Sequence, residues 1–237
     1  MLDFSQFEYI SLDCYGTLID WESGILGYLR PLLLRKNRHA TDGEILDRYS
    51  ELEPRLQQTY RPYREVLAGV VRDFAAQYTF EVSDQEAAGL AESIRHWRPF
   101  PDTVPALRRL KSRYRLAVLS NIDDDLFALT APKLGVALDL VITAQQVQSY
   151  KPSLRNFETL LERLPVEKGG LLHAAESLYH DVVPAHALGI NTAWVNRRQG
   201  KTSAATKLTA AQPDLEVPTL HALAEKIFGT STPEQMA

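Results

Sequence analysis

Tyr9-Ile10-Ser11-Leu12-Asp13-Cys14-Tyr15-Gly16-Thr17-Leu18 is an apolar run that ends in a carboxylate and a glycine turn. Such a carboxylate, at the C-terminal end of a strand, points into a crevice rather than into a core. Ser120-Asn121, Lys151 and segment 176–181 each stand beside or just after another apolar run. If those runs are strands of one parallel sheet, the four polar stations converge on one site.

The strand pattern supports that reading. Residues 9–13, 116–120, 138–143, 171–175 and 192–196 are short runs with nearly all-apolar centres, as parallel strands covered on both faces require. A helical stretch at 105–110 precedes the second, and stretches at 125–134, 154–164 and 182–188 separate the last four. The alternation predicts a doubly wound α/β sheet. Between the first two strands the pattern changes. Tyr63, Val66, Leu67, Val70, Val71, Phe74 and Tyr78 follow helical spacing, and Pro62 suits the start of that helix. Ile45, Leu46, Tyr49, Leu52 and Leu56 form a second stripe, which Pro54 is expected to bend or break. Ser83 with Glu86 reads as a capping box opening a third helix. The segment is too long for a simple connection, so residues 19–98 are expected to form an inserted helical cap. The α/β core then comprises residues 1–18 and 99–229, with Arg98-Pro99-Phe100-Pro101 as the return hinge and 230–237 as a loose tail.

Composition narrows the class without naming a function. A chain of 237 residues with 45% hydrophobic and 24% charged residues is ordinary for a globular protein. The net charge of -4 offers no broad attraction to nucleic acid or anionic lipid. The basic run from Arg108 to Arg113 reads as a solvated helix end. Cys14 is the one cysteine, so no internal disulfide can form and a cytoplasmic setting is expected. Strand alternation turns Cys14 away from Asp13 and into the core. No signal-peptide pattern or membrane-length apolar run is evident. A homodimer is expected if the cap carries an exposed apolar strip.

Four motifs taken together, DCYGTLID at 13–20, LSNID at 119–123, SYKPS at 149–153 and HAAESLYHDVVPAHALGI at 173–190, resemble the haloacid dehalogenase superfamily in order and spacing. The resemblance implies a Rossmann-like core with a cap, and Asp13 as the nucleophile. Carboxylate nucleophiles gain from desolvation and orientation. Phosphate-transferring members carry a second aspartate two residues on, which protonates the leaving alcohol; this chain has Tyr15. Tyrosine, with a reference pKa of about 10, is a poor acid near neutrality, whereas a departing halide needs no proton. The Asp-x-Tyr-Gly-Thr variant looks like the L-2-haloacid dehalogenase branch. By the same resemblance, Lys151 compensates charge and Asp181 pairs with it or orients the hydrolytic water, with Ser177. Tyr15, Thr17, Ser120 and Asn121 bind substrate, or in the case of the hydroxyls hold the nucleophile. Arg48 on the cap receives halide, with Arg61 and Arg64 as rivals.

Two positions depart from the pattern. Glu176 either completes a magnesium site with Asp13 and Asp181 or pairs with Lys151 and leaves the site metal-free. Phe157 stands where the branch carries tyrosine. Asp123-Asp124-Asp125 reads as the capped start of the following helix. His180 adjoins Asp181, but no GxSxG elbow supports a serine triad, and the histidines show no zinc-type spacing with cysteine. The expected activity is therefore cofactor-free hydrolytic dehalogenation of a short 2-haloalkanoic acid. The alternatives are a magnesium-dependent phosphatase of a small phosphoester, and a non-catalytic binding protein on the same fold.

Overall fold

The computed structural model describes residues 2–198, 205 and 210–229, so the expected tail 230–237 lies outside the described residues. Six parallel strands run β1 (Tyr9–Leu12), β2 (Arg115–Ser120), β3 (Leu140–Thr143), β4 (Leu171–Ala175), β5 (Asn191–Val195) and β6 (Leu215–Val217). Their order in the sheet is β3-β2-β1-β4-β5-β6. The chain winds outward from β1 on one side and from β4 on the other, so the order reverses beside β1. In open α/β sheets the crevice at such a reversal, outside the carboxyl ends of the strands, is where ligands bind. Asp13 lies there, its N–H donating to the Ala174 carbonyl of β4 at 3.2 Å.

Alternate residues of the strands feed two apolar layers. Ile10, Leu12, Leu116, Val118, Leu172 and Val195 pack on one face, with Leu107, Leu110, Leu220 and Leu223. Tyr9, Ala117, Leu119, Ile142 and Leu171 pack on the other, with Phe157 and Leu160. Cys14 joins the first layer, fully buried. The core helices are α5 (Thr103–Lys111), α6 (Asp124–Ala128), α7 (Ala144–Val147), α8 (Leu154–Arg163), α9 (Val183–Ala187) and α10 (Leu220–Phe228). β6 has too little sequence signal to have been anticipated, being three residues with one buried; α10 does carry one, Leu220, Leu223, Ala224 and Ile227 at helical spacing after the Thr219 N-cap, although it is absent from the expected helices.

Between β1 and the core helix α5, which leads into β2, the α-helices are α1 (Trp21–Arg35), α2 (Asp42–Leu56), α3 (Tyr63–Gln77) and α4 (Asp84–Ser93). The capping box of Ser83 and Glu86 is formed as read, and a second joins Thr41 and Glu44. Helix α2 continues through Pro54 to Leu56, so of the expected bend or break the break does not occur. The departing and returning segments meet: Ile19 bridges Pro99, and the Asp20 N–H donates to the Arg98 carbonyl at 2.9 Å. The Arg197 guanidinium locks the junction. It donates to the Thr17 carbonyl at 2.7 Å, binds both oxygens of Asp102 at 3.0 and 3.2 Å, and lies 4.0 Å over the Phe100 ring.

The aspartate run opens α6 as read, with Asp123 at the N-cap position and Asp124 and Asp125 in the first turn, but Asp123 makes no side-chain cap on its own helix. Its carboxylate accepts instead from the N–H groups of Tyr63 and Arg64, at 2.7 and 3.0 Å, at the start of α3 sixty residues earlier. Pro62 offers α3 no side-chain cap, so the core supplies one to the cap. Asp123→Ala is expected to lower stability by about 1–2 kcal/mol, with Asp123→Asn losing less because one acceptor remains. Thermal denaturation of the two variants checks this.

No helix among the described residues is long and apolar enough to cross a membrane. The cap carries no exposed apolar strip of the kind that would suggest a dimer. Of the exposed large apolar side chains among the described residues, Leu34 alone lies on α1, while Leu129, Leu154 and Val183 are scattered over the core.

Candidate active site

The glycine turn after β1 sets the position of Asp13. Gly16 has φ +97, and a Cβ there would lie 3.0 Å from the Trp21 indole nitrogen, so no other residue suits the turn. Thr17 then folds back, and its hydroxyl donates to Asp13 Oδ2 at 2.8 Å while accepting the Glu176 N–H at 2.9 Å. Thr17 is fully buried and does not line the cleft. Of the two roles open to its hydroxyl, it takes the one of holding Asp13; it is not placed to touch a molecule in the cleft.

Lys151 is brought in from the loop after α7 by a two-bond clamp. Asn121 Nδ2 donates to the Lys151 carbonyl at 3.0 Å, and Asn121 Oδ1 accepts the Lys151 N–H at 2.7 Å. The ammonium, 2% exposed, donates to Asp13 Oδ1 at 2.9 Å, to Asp181 Oδ1 at 2.6 Å and to the Leu119 carbonyl at 3.0 Å. Asn121 therefore spends its amide on positioning the lysine. Asp181 sits on a π-helical turn, Leu178–Val182, whose start is capped by Ser177 accepting the His180 N–H. Such one-turn widenings recur at functional sites. A further partner stands behind it. His173, inside β4, has Nε2 3.0 Å from Asp181 Oδ1 and Nδ1 2.8 Å from Ser11 Oγ. The pair of contacts suits an imidazole protonated on Nε2.

Burial dominates the electrostatics here. It raises the Asp13 carboxyl above the ordinary range, helped by the Asp181 charge and opposed by Lys151 and Thr17. Burial works against the Lys151 charge too, but Asp13 and Asp181 outweigh it and hold the ammonium above the usual lysine value. For Asp181 the balance reverses: burial pushes up, yet Lys151 and His173 bring the carboxyl below the ordinary range.

Asp13, Ser120, Asn121, Lys151, Ser177, His180 and Asp181 line one side of a small cleft of about 40 Å³. The cap side is made by Trp21, Glu53 and Tyr63, with Tyr15 also lining it. Two buried oxygens among these have no hydrogen-bond partner, Ser120 Oγ and Asp181 Oδ2. Their hydrogen-bonding capacity is unused. The Tyr15 hydroxyl is held by Thr130 at 2.8 Å, its ring lies edge-on to Trp97, and burial pushes its pKa well above the ordinary value. Tyr15 therefore shapes the wall and supplies no acid.

Two expectations fail on placement. Arg48 does not line the cleft; it pairs with Glu51 at 3.1 Å on the flank of α2. Five residues along a helix turn a side chain by about 140°, so Arg48 and Glu53 occupy opposite shoulders of the inward stripe, and only the Glu53 shoulder faces the core. Glu53 is 4% exposed and accepts from the Tyr63 hydroxyl at 2.8 Å. Nor does Glu176 reach Lys151. Its carboxylate meets Arg198 Nε at 2.6 Å, and burial raises it against that pairing. With Glu176 turned to Arg198 and both aspartates bridged by an ammonium, the donor set Asp13, Glu176 and Asp181 does not fit a magnesium ion. Among the described residues no three metal-ligating side chains gather. Arg61 and Arg64 lie in a separate surface groove, not the cleft. Phe157 is buried against the His173 ring.

A family profile for haloacid dehalogenase-like hydrolases matches residues 7–212. The chain belongs to that family. This haloacid dehalogenase-like hydrolase is 25% identical over 229 residues to an (S)-2-haloacid dehalogenase of Pseudomonas sp. (strain YL), with 94% of each chain covered. It is 27% identical to haloacetate dehalogenase H-2 of Moraxella sp. (strain B), over 94% of this chain and 98% of the other. Its fold superposes on L-2-haloacid dehalogenase from Xanthobacter autotrophicus, solved with chloropropionic acid covalently bound, at a TM-score of 0.78 and 20% identity, over 95% and 100% of the two chains. The hydrolase is thus (S)-2-haloacid dehalogenase-like in sequence, with the same core-and-cap fold.

Proposed function

We propose that this hydrolase removes halogen from short (S)-2-haloalkanoic acids through an ester on Asp13, with residues 19–98 acting as the cap over the site. One observation supports this above the rest: Asp13 is buried with one oxygen on Lys151 and the other on Thr17, in a cleft whose Tyr15 hydroxyl is unavailable as an acid. That is a carboxylate oriented to attack carbon and a leaving group that needs no proton. Asp13 displaces halide with inversion, leaving an aspartyl ester. Water then attacks the aspartyl carbonyl. The partnerless Asp181 Oδ2 is the acceptor for that water, and Ser177 stands beside it on the cleft wall. Lys151 stays charged and compensates the developing oxyanion. Ser120 Oγ is the hydroxyl for the substrate carboxylate. The named relatives favour the same chemistry.

A magnesium-dependent phosphoester hydrolase is supported less well. A glyceraldehyde 3-phosphate phosphatase is 32% identical over 42% of the chain, but the Glu176–Arg198 pair and the engaged Tyr15 both oppose that reading. Incubation with (S)-2-chloropropionate is expected to release chloride and (R)-2-hydroxypropionate at the same rate with and without a chelator. No chloride, or loss of release with chelator, overturns the proposal.

A further inference from the structure

We propose that Glu53, uncharged, receives the departing halide, donating a hydrogen bond to it as the carbon–halogen bond breaks. The inference rests on the dehalogenation reading and goes beyond it in assigning the leaving-group site. Displacement at carbon is in-line, so attack by Asp13 from the core side expels halide toward the cap. The cap's contribution to the cleft is Trp21, Glu53 and Tyr63, and none of these is cationic. Tyr63 cannot supply the donor, because its hydroxyl donates to Glu53 Oε1 at 2.8 Å while meeting the Tyr49 hydroxyl at 3.0 Å. That chain of hydroxyls fixes the Glu53 carboxyl at the roof. Atoms and charge balance simply: Asp13 gives the electron pair of the new C–O bond, the halogen leaves with the pair of the broken bond, and the proton stays on Glu53.

A carboxylate at this position would repel both an anionic substrate and a leaving halide. Burial raises the Glu53 pKa to about 7, against the hydrogen bonds of Tyr63 and Gln57. The groups facing it are Tyr49 and Tyr63 from the cap, Tyr150 from the core, and Asp13, Lys151, Asp181 and His180 across the cleft. The sign follows directly. Below about 7 the acid is a donor, and above it the donor is lost and a charge appears.

The test uses 2-chloropropionate with wild type, Glu53→Gln and Glu53→Ala between pH 6 and 8.5. Wild-type kcat is expected to fall about 30-fold on the alkaline side, the change in the protonated fraction of such a group. Glu53→Ala at pH 6 is expected to lose about 10²-fold in kcat with KM little changed. Glu53→Gln keeps an N–H donor that cannot ionise, so it recovers most of that loss and shows no alkaline fall. An alkaline limb that persists in Glu53→Gln overturns the proposal, and this comparison decides alone if the alanine variant does not fold. Iodide quenching of tryptophan fluorescence, with Trp21→Phe as blank, reads the halide site without turnover. Quenching of Trp21 that weakens at pH 8.5 in wild type but not in Glu53→Gln supports the site even if no haloacid is turned over, in which case the parent reading alone falls. Equal weakening in both proteins sinks the halide site.

Discussion

Asp13→Asn is expected to abolish halide release, lowering kcat by at least about 10⁴-fold, the scale of losing a catalytic nucleophile. The substitution keeps the shape of the side chain. An asparagine oxygen can still accept from Lys151, and its amide can still face the Thr17 hydroxyl, the two partners that hold Asp13 at 2.9 and 2.8 Å. Folding should therefore survive while the anionic lone pair is gone. Chloride release is the measurement, with mass spectrometry to exclude slow deamidation back to aspartate. A single turnover of wild type in oxygen-18 water is expected to place label in Asp13, because in the proposed mechanism water attacks the aspartyl carbonyl rather than the substrate carbon. Wild-type activity also carries a sign in pH. Burial raises the Asp13 carboxyl, and only its ionised form attacks, so the rate rises with pH along an acid limb lying above the reference aspartate value of about 3.9. Label found only in the released hydroxyacid, or an active asparagine variant free of deamidation, would remove Asp13 from the reaction.

Lys151→Met is expected to lose both activity and stability. The ammonium sits between two buried carboxylates and is itself 2% exposed. Removing it leaves Asp13 and Asp181 facing one another without their cation, a change worth about 3–5 kcal/mol for a broken buried pair. Activity should fall about 10³-fold or more, since the developing oxyanion also loses its compensating charge. In wild type, Asp181 has a lowered carboxyl; its contribution is present above the ordinary aspartate range and lost as pH falls through the folded value. In the methionine variant the folded carboxylates bind protons more tightly than the unfolded ones, so its stability rises as pH falls. The gap between the two proteins should therefore be wide at pH 8 and narrower at pH 5. Denaturant unfolding at both values measures it, and a gap independent of pH would show that the three charges are not coupled. Lys151→Arg is not a mild control, because the wider guanidinium cannot share the point position between two oxygens.

Local chemistry was legible along the chain. The apolar run of β1, the inward Cys14, the Ser83–Glu86 box and the stripe from Tyr63 to Tyr78 are all decided by residues within a few positions of one another, and each stands as read. Asp13, Lys151 and Asp181 could be brought together on paper because parallel strands in one sheet leave few places for their carboxyl ends. What the chain did not disclose is which partner each polar side chain would find. Asp123 caps a helix sixty residues away, Glu176 takes Arg198 instead of Lys151, and His173, one polar residue within an apolar strand, meets Asp181. Glu53 did leave a faint mark, an acid four residues after Tyr49 on the inward side of α2, but the stripe alone does not say which shoulder faces the cleft. Sequence thus determined the elements and the order of the reacting groups, because periodicity and turn chemistry act over short spans. The tertiary structure decided the pairings, because a buried charge or hydrogen-bonding group is settled by whatever distant side chain the packed fold sets within about 3 Å of it.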